Sequence, residues 1–584
     1  MGTPLRLFNI LCLNLYGCKP PRLRNCFVSV DTHNYQHSSE GRLNGRCGFC
    51  MFGLHKIPIM QPARSTYRVK LLLALLCFLI IGTHAKAQVI TTDSVDRLVE
   101  RALKTFDVPG IAVAIVKDDK NVYAKGYGVR SLNTGKKVDE NTLFGIASNS
   151  KAFTTAAIGI LSDEGKLKLD DKVTDYIPEF KLYDPYVTAE FTIRDLLTHR
   201  SGLGLGAGDL MDFPDSTDFT LKDVIHNLRY LKPVSSFRSK YDYDNQLYKV
   251  AGEIIARVSG MSWEEFIETR IMKPLQMTHS SASYQRIKDY SNVVDAHSPV
   301  DGKVVVIPRY LTTTGNAAGG IYSSVSDLSK WVIMQMNNGK YDDNKRLFSE
   351  AIHWQMWSPQ TIIPVGQSPY YNTHFAAYGL GWGLSDVKGY KQVSHTGGID
   401  GMVTQVQLLP ELKLAIIVLT NQASGAAFTA ITNQIKDSYL GIKTGRDWIK
   451  TLSDAEKASA GSADKVTADV WKQVEAAKKV ATKTDLKPFT GAYHDNWLGD
   501  VTISIKDGQL WFAAKHSPKL SGQMLAYKGN TFVVKWIYRS MEADAFAMFS
   551  VDENGVPSGM KMKPVSPATD FSFDFQDLDF AKVK

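Results

Sequence analysis

The pattern of apolar and polar residues predicts strands at both ends of a long segment of the chain. Apolar residues recur at helical spacing from Ser94 to Lys104, and two short strand-like runs follow at Ile111–Val116 and Val122–Tyr127. Strand patterns return much later, at Met402–Leu409 and Leu414–Thr420. Because helical patterns fill the middle, we expect an α+β domain whose sheet joins both ends of the segment and carries a helical insert.

The middle of this segment is predicted to be helical. An alanine-rich stretch from Ser148 to Glu164 is followed by Gly165, which is typical of a helix C-terminus. Further helical patterns lie at Ile193–Thr198, Leu221–Leu231, Gln246–Val258, Trp263–Met272 and Val325–Asn337.

The last part of the chain has a different composition and a different pattern of apolar residues. Residues 450–486 are rich in Ala, Lys, Asp and Ser, which predicts a solvated helical linker. Beyond Pro488, turn sequences separate short alternating strands at Val501–Ile505, Leu510–Ala513, Thr531–Ile537 and Ala545–Val551. We therefore expect a main domain over residues 88–445, a helical linker over 446–486 and a small all-β, barrel-like domain over 487–584.

Charge and cysteines set the N-terminal residues apart. Residues 1–87 carry eleven Lys or Arg and two acids, an excess of nine that equals the net charge of the whole chain, +9. Residues 88–584 are thus formally neutral, which argues against a nucleic-acid partner. All six cysteines lie before residue 80. The one CxxC sequence, Cys47–Cys50, has no second pair or histidine cluster with it, so we expect no metal and no cofactor.

Residues 60–87 have the features of a secretory signal peptide. A basic region precedes an apolar run from Leu71 to Gly82, and a small-residue cleavage sequence ends at Ala87. The run is shorter than the ~18–20 residues of a spanning helix. Because Met60 stands where such a peptide begins, we expect residues 1–59 to come from a misassigned upstream start codon. We expect the mature protein to be exported to the periplasm or the extracellular space, and to meet the membrane only through the signal segment before cleavage.

Ser148 and Lys151 form an S-x-x-K sequence at the start of a predicted helix. The chain has four such sequences, beginning at Ser148, Ser385, Ser462 and Ser558, and the first opens the long apolar-patterned helix. At this spacing the two side chains share a helix face, so the amine can reach the hydroxyl. A serine hydroxyl needs an adjacent base, and burial brings a lysine pKa into the range for that role. The alternative is a helix-start serine followed by a solvated lysine.

Two more sequences supply candidate residues. Tyr243-Asp244-Asn245 directly precedes a predicted helix; its phenol could pass a proton, and Asn245 could orient the lysine or hold a substrate carbonyl. His395-Thr396-Gly397 stands at the start of a strand hairpin, where a cationic or hydrogen-bonding residue could face the serine and the glycine permits close backbone approach. Structural roles are the alternatives for these residues. A literal K-T-G at Lys443 has no strand to display it.

The three sequences S-x-x-K, Y-x-N and H-T-G occur in this order, and here the chain resembles the serine β-lactamase-related hydrolases. That family includes class C β-lactamases, DD-peptidases, D-aminopeptidases and related esterases. The similarity runs from Ser94 to Leu440 and includes Thr192–Leu203, which is similar to the family segment LLTHxSGL. Ala318–Ser324 and His395–Gly398 are further landmarks. The resemblance implies an antiparallel sheet flanked by helices, of the β-lactamase and transpeptidase type.

The resemblance also implies roles for individual residues. Ser148 would be the acylated nucleophile, Lys151 and Tyr243 the base system, and the backbone N–H groups of Ser148 and Gly398 the oxyanion hole. Substrate-binding positions would be Asn245, His395, Thr396 and Gly397. The expected substrate is a small molecule or a peptide, cell-wall material included, that is cleaved at an amide or ester bond.

The third motif departs from that of β-lactamases, which usually have a lysine where this chain has His395. Lysine is a permanent cation that binds a substrate carboxylate, whereas histidine is only partly charged near neutrality. This favours peptidase or esterase activity over efficient β-lactam hydrolysis. A true β-lactamase and a penicillin-binding sensor module that does not turn over remain as alternatives. The C-terminal strands resemble the small β domain appended to some of these peptidases.

Overall fold

The structure is a computed structural model that describes residues 89–300, 302–366, 370–443, 445–480 and 485–584. The residues from 89 onward belong to one compact unit. The cysteines, the expected signal peptide and the expected upstream extension lie outside the described residues. Within the described ranges, no helix is long and apolar enough to cross a membrane.

The described residues before 445 form strands of one large sheet and of smaller accessory sheets. In chain order they are β1 (Gly110–Lys117), β2 (Lys120–Gly128), β3 (Phe144–Gly145), β4 (Ser280–Ser281), β5 (Ala296–Val300), β6 (Lys303–Ile307), β7 (Tyr322–Ser323), β8 (Lys340–Asp342), β9 (Lys345–Arg346), β10 (Thr361–Ile363), β11 (Ala376–Tyr378), β12 (Gly383–Val387), β13 (Tyr390–Ile399), β14 (Met402–Leu409) and β15 (Leu414–Thr420). The large sheet has the order β10-β11-β12-β13-β14-β15-β1-β2. Since β1 pairs antiparallel with β15, the sheet joins both ends of the segment, and the α+β prediction is confirmed.

The helices surround this sheet. In chain order they are α1 (Thr92–Thr105), α2 (Ser150–Asp163), α3 (Val173–Tyr176), α4 (Pro185–Glu190), α5 (Ile193–Leu196), α6 (Leu221–Asn227), α7 (Gln246–Ser259), α8 (Trp263–Ile267), α9 (Asn316–Gly319), α10 (Val325–Met336), α11 (Glu350–Met356), α12 (Gly425–Tyr439) and α13 (Trp448–Val480). Strand β1 is apolar on both faces because each face meets helices. Ile111, Val113 and Ile115 share a core with α1 and α12, whereas Ala112 and Ala114 share the core that contains α2.

Several predicted helices end earlier than their patterns indicate. The pattern over Leu221–Leu231 continues past α6 as a 3₁₀ turn, Leu228–Tyr230. The pattern over Trp263–Met272 continues past α8 as a π turn, Glu268–Met272. Such turns keep apolar side chains on the buried side while changing the hydrogen-bond spacing, so periodicity alone does not separate them from α-helix.

The C-terminal strands close into a barrel. They are β16 (Gly491–Asp495), β17 (Gly499–Lys506), β18 (Gln509–Ala514), β19 (Ser521–Lys528), β20 (Thr531–Trp536), β21 (Ala545–Val551), β22 (Pro557–Pro564) and β23 (Asp579–Lys582). Each strand pairs with the next, and β16 also pairs with β23, with Tyr493 opposite Lys582. The prediction of a small all-β, barrel-like region is confirmed.

The helix before the barrel, α13, leaves more than half of its described residues exposed, and buried apolar residues lie near each of its ends. Trp448 and Ile449, at the start of α13, are buried in the core that contains α1 and α12. Val470 and Val474, near its end, pack against the barrel residue Leu525. The few apolar residues of a mainly polar helix therefore anchor both of its ends, a pattern that average composition does not show.

Candidate active site

Ser148 lies in a 3₁₀ turn, Ala147–Asn149, directly before α2. Ala147 has a positive φ of 47°, which is unfavourable for a residue with a side chain and persists only where the surroundings hold it. Strand β13 passes directly beside this turn. A Cβ on Gly397 would lie 2.2 Å from the carbonyl oxygen of Ile146 and 3.0 Å from the Cβ of Ala147. Residue 397 must therefore be glycine for the sheet to reach the serine turn.

Lys151 is fully buried one turn along α2. Its Nζ donates to Ser148 Oγ at 3.2 Å, to Asn245 Oδ1 at 2.7 Å and to the Ala318 carbonyl at 3.0 Å. Burial lowers the pKa of Lys151 to about 7, although the more distant carboxylates of Asp209 and Asp244 act to raise it. Near neutral pH a large fraction of this amine is therefore uncharged and can accept a proton from the serine.

The phenol of Tyr243 completes the immediate surroundings of the serine. Burial raises the pKa of Tyr243 well above its usual value, and a hydrogen bond with the Ser148 side chain acts in the opposite direction. Lys151 Nζ lies 4.8 Å from the centroid of the Tyr243 ring. The ring of His199 packs on the Tyr243 ring with 4.3 Å between centroids, and His199 Nδ1 accepts from the Asp244 N–H at 3.1 Å. Tyr243 is thus held in contact with both candidate reactive groups.

Asn245 connects Lys151 to a buried acid. Its Nδ2 donates to Asp209 Oδ2 at 2.8 Å, which turns its Oδ1 towards the lysine. Asp209 also accepts from Gln246 Nε2 at 3.1 Å, and burial together with Asp212 raises the pKa of Asp209 well above its usual value. Of the two roles considered for Asn245, this geometry favours orienting the lysine. Sequence reasoning missed Asp209, because nothing in its local pattern distinguishes it from other acids.

The third motif lies on β13, where it forms part of the wall beside Ser148. His395 is buried, and its Nε2 is 2.9 Å from the hydroxyl of Tyr378 on β11. Burial lowers the pKa of His395 to about 3, with the charge of Lys151 acting in the same direction. The expectation of a partly charged histidine near neutrality is therefore wrong, because burial of the ring disfavours its cation. Tyr378 is a second residue that sequence reasoning missed.

A cavity of about 710 Å³ opens above Ser148, and it is lined both by residues before 445 and by residues of the barrel region. Thr396 and Gly398 of β13 stand on its wall with His395. The literal K-T-G falls in the connection between α12 and α13; Thr444 is outside the described residues, and neither Lys443 nor Gly445 lines the cavity.

The cavity lining is acidic. Its described residues include Lys249, which is paired with Asp212, and three further carboxylates, Asp400, Glu542 and Asp570. Glu542 and Asp570 come from the barrel region. Across the described part of the chain, no cluster of His, Cys, Asp and Glu could hold a metal ion.

Comparison with known proteins places this site in a family. The β-lactamase family model matches residues 95–439, which is more than half of the chain. The chain belongs to the β-lactamase family. A second family model, described as a domain of unknown function, DUF3471, matches residues 475–582, which include the barrel. The β-lactamase match contains Ser148, Lys151 and Tyr243.

Proteins similar to this β-lactamase-family chain include a fungal hydrolase, a staphylococcal protein and a solved archaeal structure. The unguisins hydrolase ungD of Aspergillus violaceofuscus (strain CBS 115571) is 27% identical over 497 residues, which cover 79% of this chain and 86% of the relative. Protein flp of Staphylococcus aureus (strain NCTC 8325 / PS 47) is 30% identical over 338 residues, which cover 57% of this chain and 64% of the relative. The structure of the octameric penicillin-binding protein homologue from Pyrococcus abyssi shares the fold, with a TM-score of 0.54, 22% identity, and coverage of 84% of this chain and 100% of that one. The family membership of this chain rests on the β-lactamase model, and its likeness to the penicillin-binding protein homologue is one of fold.

Proposed function

We propose that this family member is an exported serine hydrolase that cleaves amide or ester bonds through an acyl-enzyme on Ser148. The observation that carries the proposal is the state of Lys151. Its amine is buried 3.2 Å from Ser148 Oγ, its hydrogen-bond partners are uncharged oxygens, and its pKa is about 7. A lysine in such surroundings can act as the base that a serine nucleophile requires.

In the proposed reaction, neutral Lys151 accepts the Ser148 proton, directly or through the phenol of Tyr243, as Oγ attacks the carbonyl carbon. A bond from Oγ to carbon forms, and the resulting oxyanion accepts hydrogen bonds from the backbone N–H groups of Ser148 and Gly398, by analogy with the family. The bond to the leaving group then breaks, and the leaving nitrogen or oxygen takes the proton from the same base. Water then attacks the acyl carbon and gives a proton to the base, the bond between Oγ and carbon breaks, Oγ takes that proton back, and the acid product leaves.

The charges of the cavity favour a peptidase or an esterase over a β-lactamase. His395 is uncharged near neutrality, and Lys249 is already paired with Asp212. Asp400, Glu542 and Asp570 line the same cavity. A substrate carboxylate would meet like charges there, and unfavourable charge pairs across a binding surface select against such partners.

Mass spectrometry of the purified protein tests the proposed chemistry. We expect a fluorophosphonate to form a covalent adduct on Ser148, and esters or D-amino-acid peptides to be turned over. Ser148→Ala abolishes both. Ser462→Ala is the matched control, because Ser462 begins another S-x-x-K sequence on the exposed side of α13, and we expect it to react like the unaltered protein. Rapid cephalosporin turnover would instead indicate a true β-lactamase. Stoichiometric penicillin labelling without product would indicate a sensor module.

Export is a separate part of the proposal, based on the sequence of residues 60–87. N-terminal sequencing of the protein recovered from a bacterial periplasm or culture medium tests it. We expect a start near Gln88. Recovery of the protein only in the cytoplasm, with residue 60 or an earlier residue at its N-terminus, would contradict export.

A further inference from the structure

The connection between β22 and β23 leaves the barrel and reaches the candidate active site. Ala568 and residues 570–573 of this connection line the cavity above Ser148. The ring of Phe571 meets the Tyr243 ring edge to face, with centroids 5.9 Å apart. Gly206 has a φ of 71°, and a Cβ there would lie 2.7 Å from the Phe571 carbonyl oxygen. The connection therefore packs directly on the stretch of chain that leads to Asp209.

Asp574, in the same connection, binds the backbone on both sides of Asp209. It is fully buried, its Oδ2 accepts from the Gly208 N–H at 2.7 Å, and its Oδ1 accepts from the Leu210 N–H at 3.0 Å. Asp209 begins a short 3₁₀ turn, Asp209–Met211. Each oxygen of the Asp574 carboxyl group thus accepts from one backbone amide, and such paired hydrogen bonds are directional. One barrel side chain therefore fixes the turn that presents the Asp209 carboxyl group.

The orientation of Asn245 depends on that carboxyl group. An asparagine amide has a donor end and an acceptor end, and here the donor end faces Asp209 while the acceptor end faces Lys151. If Asp209 moved away, the amide would be free to rotate and turn its NH₂ group towards the lysine. Two donor groups would then face each other, and Lys151 would lose its shortest hydrogen bond, that of 2.7 Å.

We propose that Asp574 of the barrel is a positioning residue for the reactive pair Ser148 and Lys151. It acts through the amides of Gly208 and Leu210, then through Asp209 and Asn245, and has no contact with the substrate in this role. The inference rests on the proposed function, since it assumes that Lys151 serves as the base for Ser148. It makes the barrel a part of the catalytic site.

Asp574→Asn in the full chain tests this role, because the amide keeps the shape of the side chain but turns one acceptor into a donor. We expect the rate constant for fluorophosphonate labelling of Ser148 to fall about 10-fold to 100-fold, the range for small misplacements of a catalytic group. We also expect the midpoint of the pH–rate profile to move to lower pH. The reason is that the Lys151 ammonium loses the Asn245 oxygen that stabilises it.

Asp495→Asn is the matched control within the barrel. Asp495 is also buried and accepts from the backbone N–H groups of Trp497, Leu498 and Asp579, each at 2.9 Å. These partners all belong to the barrel region. We expect this variant and Asp574→Asn both to melt at a lower temperature than the unaltered protein, while the labelling rate and pH midpoint of Asp495→Asn stay unchanged. If the two variants have the same rate and the same midpoint, the positioning role is wrong.

Two further measurements keep the outcome decisive. Asp574→Glu moves the carboxylate by one methylene, and the same two readouts apply to it if Asp574→Asn does not fold. In an Asp209→Asn background, Asp574→Asn should add less than about twofold, since residues that act in series are not additive. Full additivity would overturn the inference. If the unaltered protein is not labelled at Ser148, the proposed function fails, whereas normal labelling in every Asp574 variant overturns the positioning role alone.

Discussion

Lys151 and Lys249 are both buried, on the neighbouring helices α2 and α7, yet their surroundings differ. The amine of Lys249 contacts the carboxylate of Asp212, which also accepts from Gln246 Nε2 at 3.0 Å. The amine of Lys151 contacts a hydroxyl, an amide oxygen and a backbone carbonyl. One lysine therefore forms an ion pair, and the other has no charge in direct contact to offset its loss of hydration.

This difference separates a structural lysine from a reactive one. Removing one member of a buried ion pair leaves the other charge without compensation, so such a pair is sensitive to mutation. A buried amine beside neutral oxygens gives up its proton easily, and the pKa of Lys151 is accordingly about 7. Burial alone does not identify a catalytic lysine; the charge of its nearest partners does.

Removing the reactive amine of Lys151 should have the largest effect on the reactivity of Ser148. We expect Lys151→Met to lower the rate of Ser148 labelling about 10³-fold, within the usual range for loss of a general base. Its thermal stability should be unchanged or higher, because a methionine of similar volume needs no hydration. Stopped-flow labelling and a melting curve on the same sample measure both effects. Labelling within tenfold of the unaltered protein would show that another group serves as the base.

The same substitution at Lys249 should have the opposite pattern. Lys249→Met leaves the Asp212 carboxylate buried without its cation, which costs about 3–5 kcal/mol of unfolding free energy. Urea denaturation measures this loss. The double variant Lys249→Met with Asp212→Asn serves as the control, since it removes both charges, and we expect it to recover most of the stability. A loss below about 1 kcal/mol in the single variant would mean that the ion pair is not the stabilising contact.

Sequence patterns identify the candidate reactive residues of this site but not the acids that hold them in position. Ser148 and Lys151 are one helical turn apart, and Tyr243 stands directly before α7, so short patterns bring them into view. Asp209 and Asp574 cannot be found in this way. Asp209 binds Asn245 from 36 residues away, and Asp574 binds Gly208 across 366 residues, so their contacts exist only once the whole fold has formed.

The same distinction holds for the strands. Patterns predicted β14 and β15, which are long and apolar, but not the short β11 that carries Tyr378 or the neighbouring β10 and β12. Glycines interrupt the sequence around Tyr378, and a strand of three residues shows no clear alternation. In the barrel, β17, β18, β20 and β21 were predicted, whereas its closure depends on pairing between the first and last strands, which no local pattern records.

The state of charge of Lys151 can be followed through the pH dependence of labelling. The base must be neutral, so we expect the rate to rise about tenfold per pH unit below a midpoint near 7 and to be constant above it. Burial also raises the pKa of Asp244 to about 7, and its ionised form acts to raise the pKa of Lys151. Asp244→Asn should therefore move the midpoint to lower pH. A midpoint near that of an ordinary exposed lysine would contradict the assignment.

Replacing His395 with lysine provides the test with the smallest expected effect. His395→Lys places an amine beside Tyr378, where the charge of Lys151 already acts on His395. Repulsion between the two amines should lower the midpoint of the labelling profile by about 0.5–1 pH unit, a difference of about 3-fold to 10-fold in the neutral fraction of Lys151 below the midpoint. His395→Gln is the uncharged control and should leave the midpoint in place.

The new cation of His395→Lys should also increase labelling by penicillin, because the described lining residues of the unaltered cavity offer no free cation to its carboxylate. If lysine and glutamine give the same midpoint and the same penicillin labelling, the charge of residue 395 does not control the reactivity of Ser148 or the preference for substrates without a carboxylate.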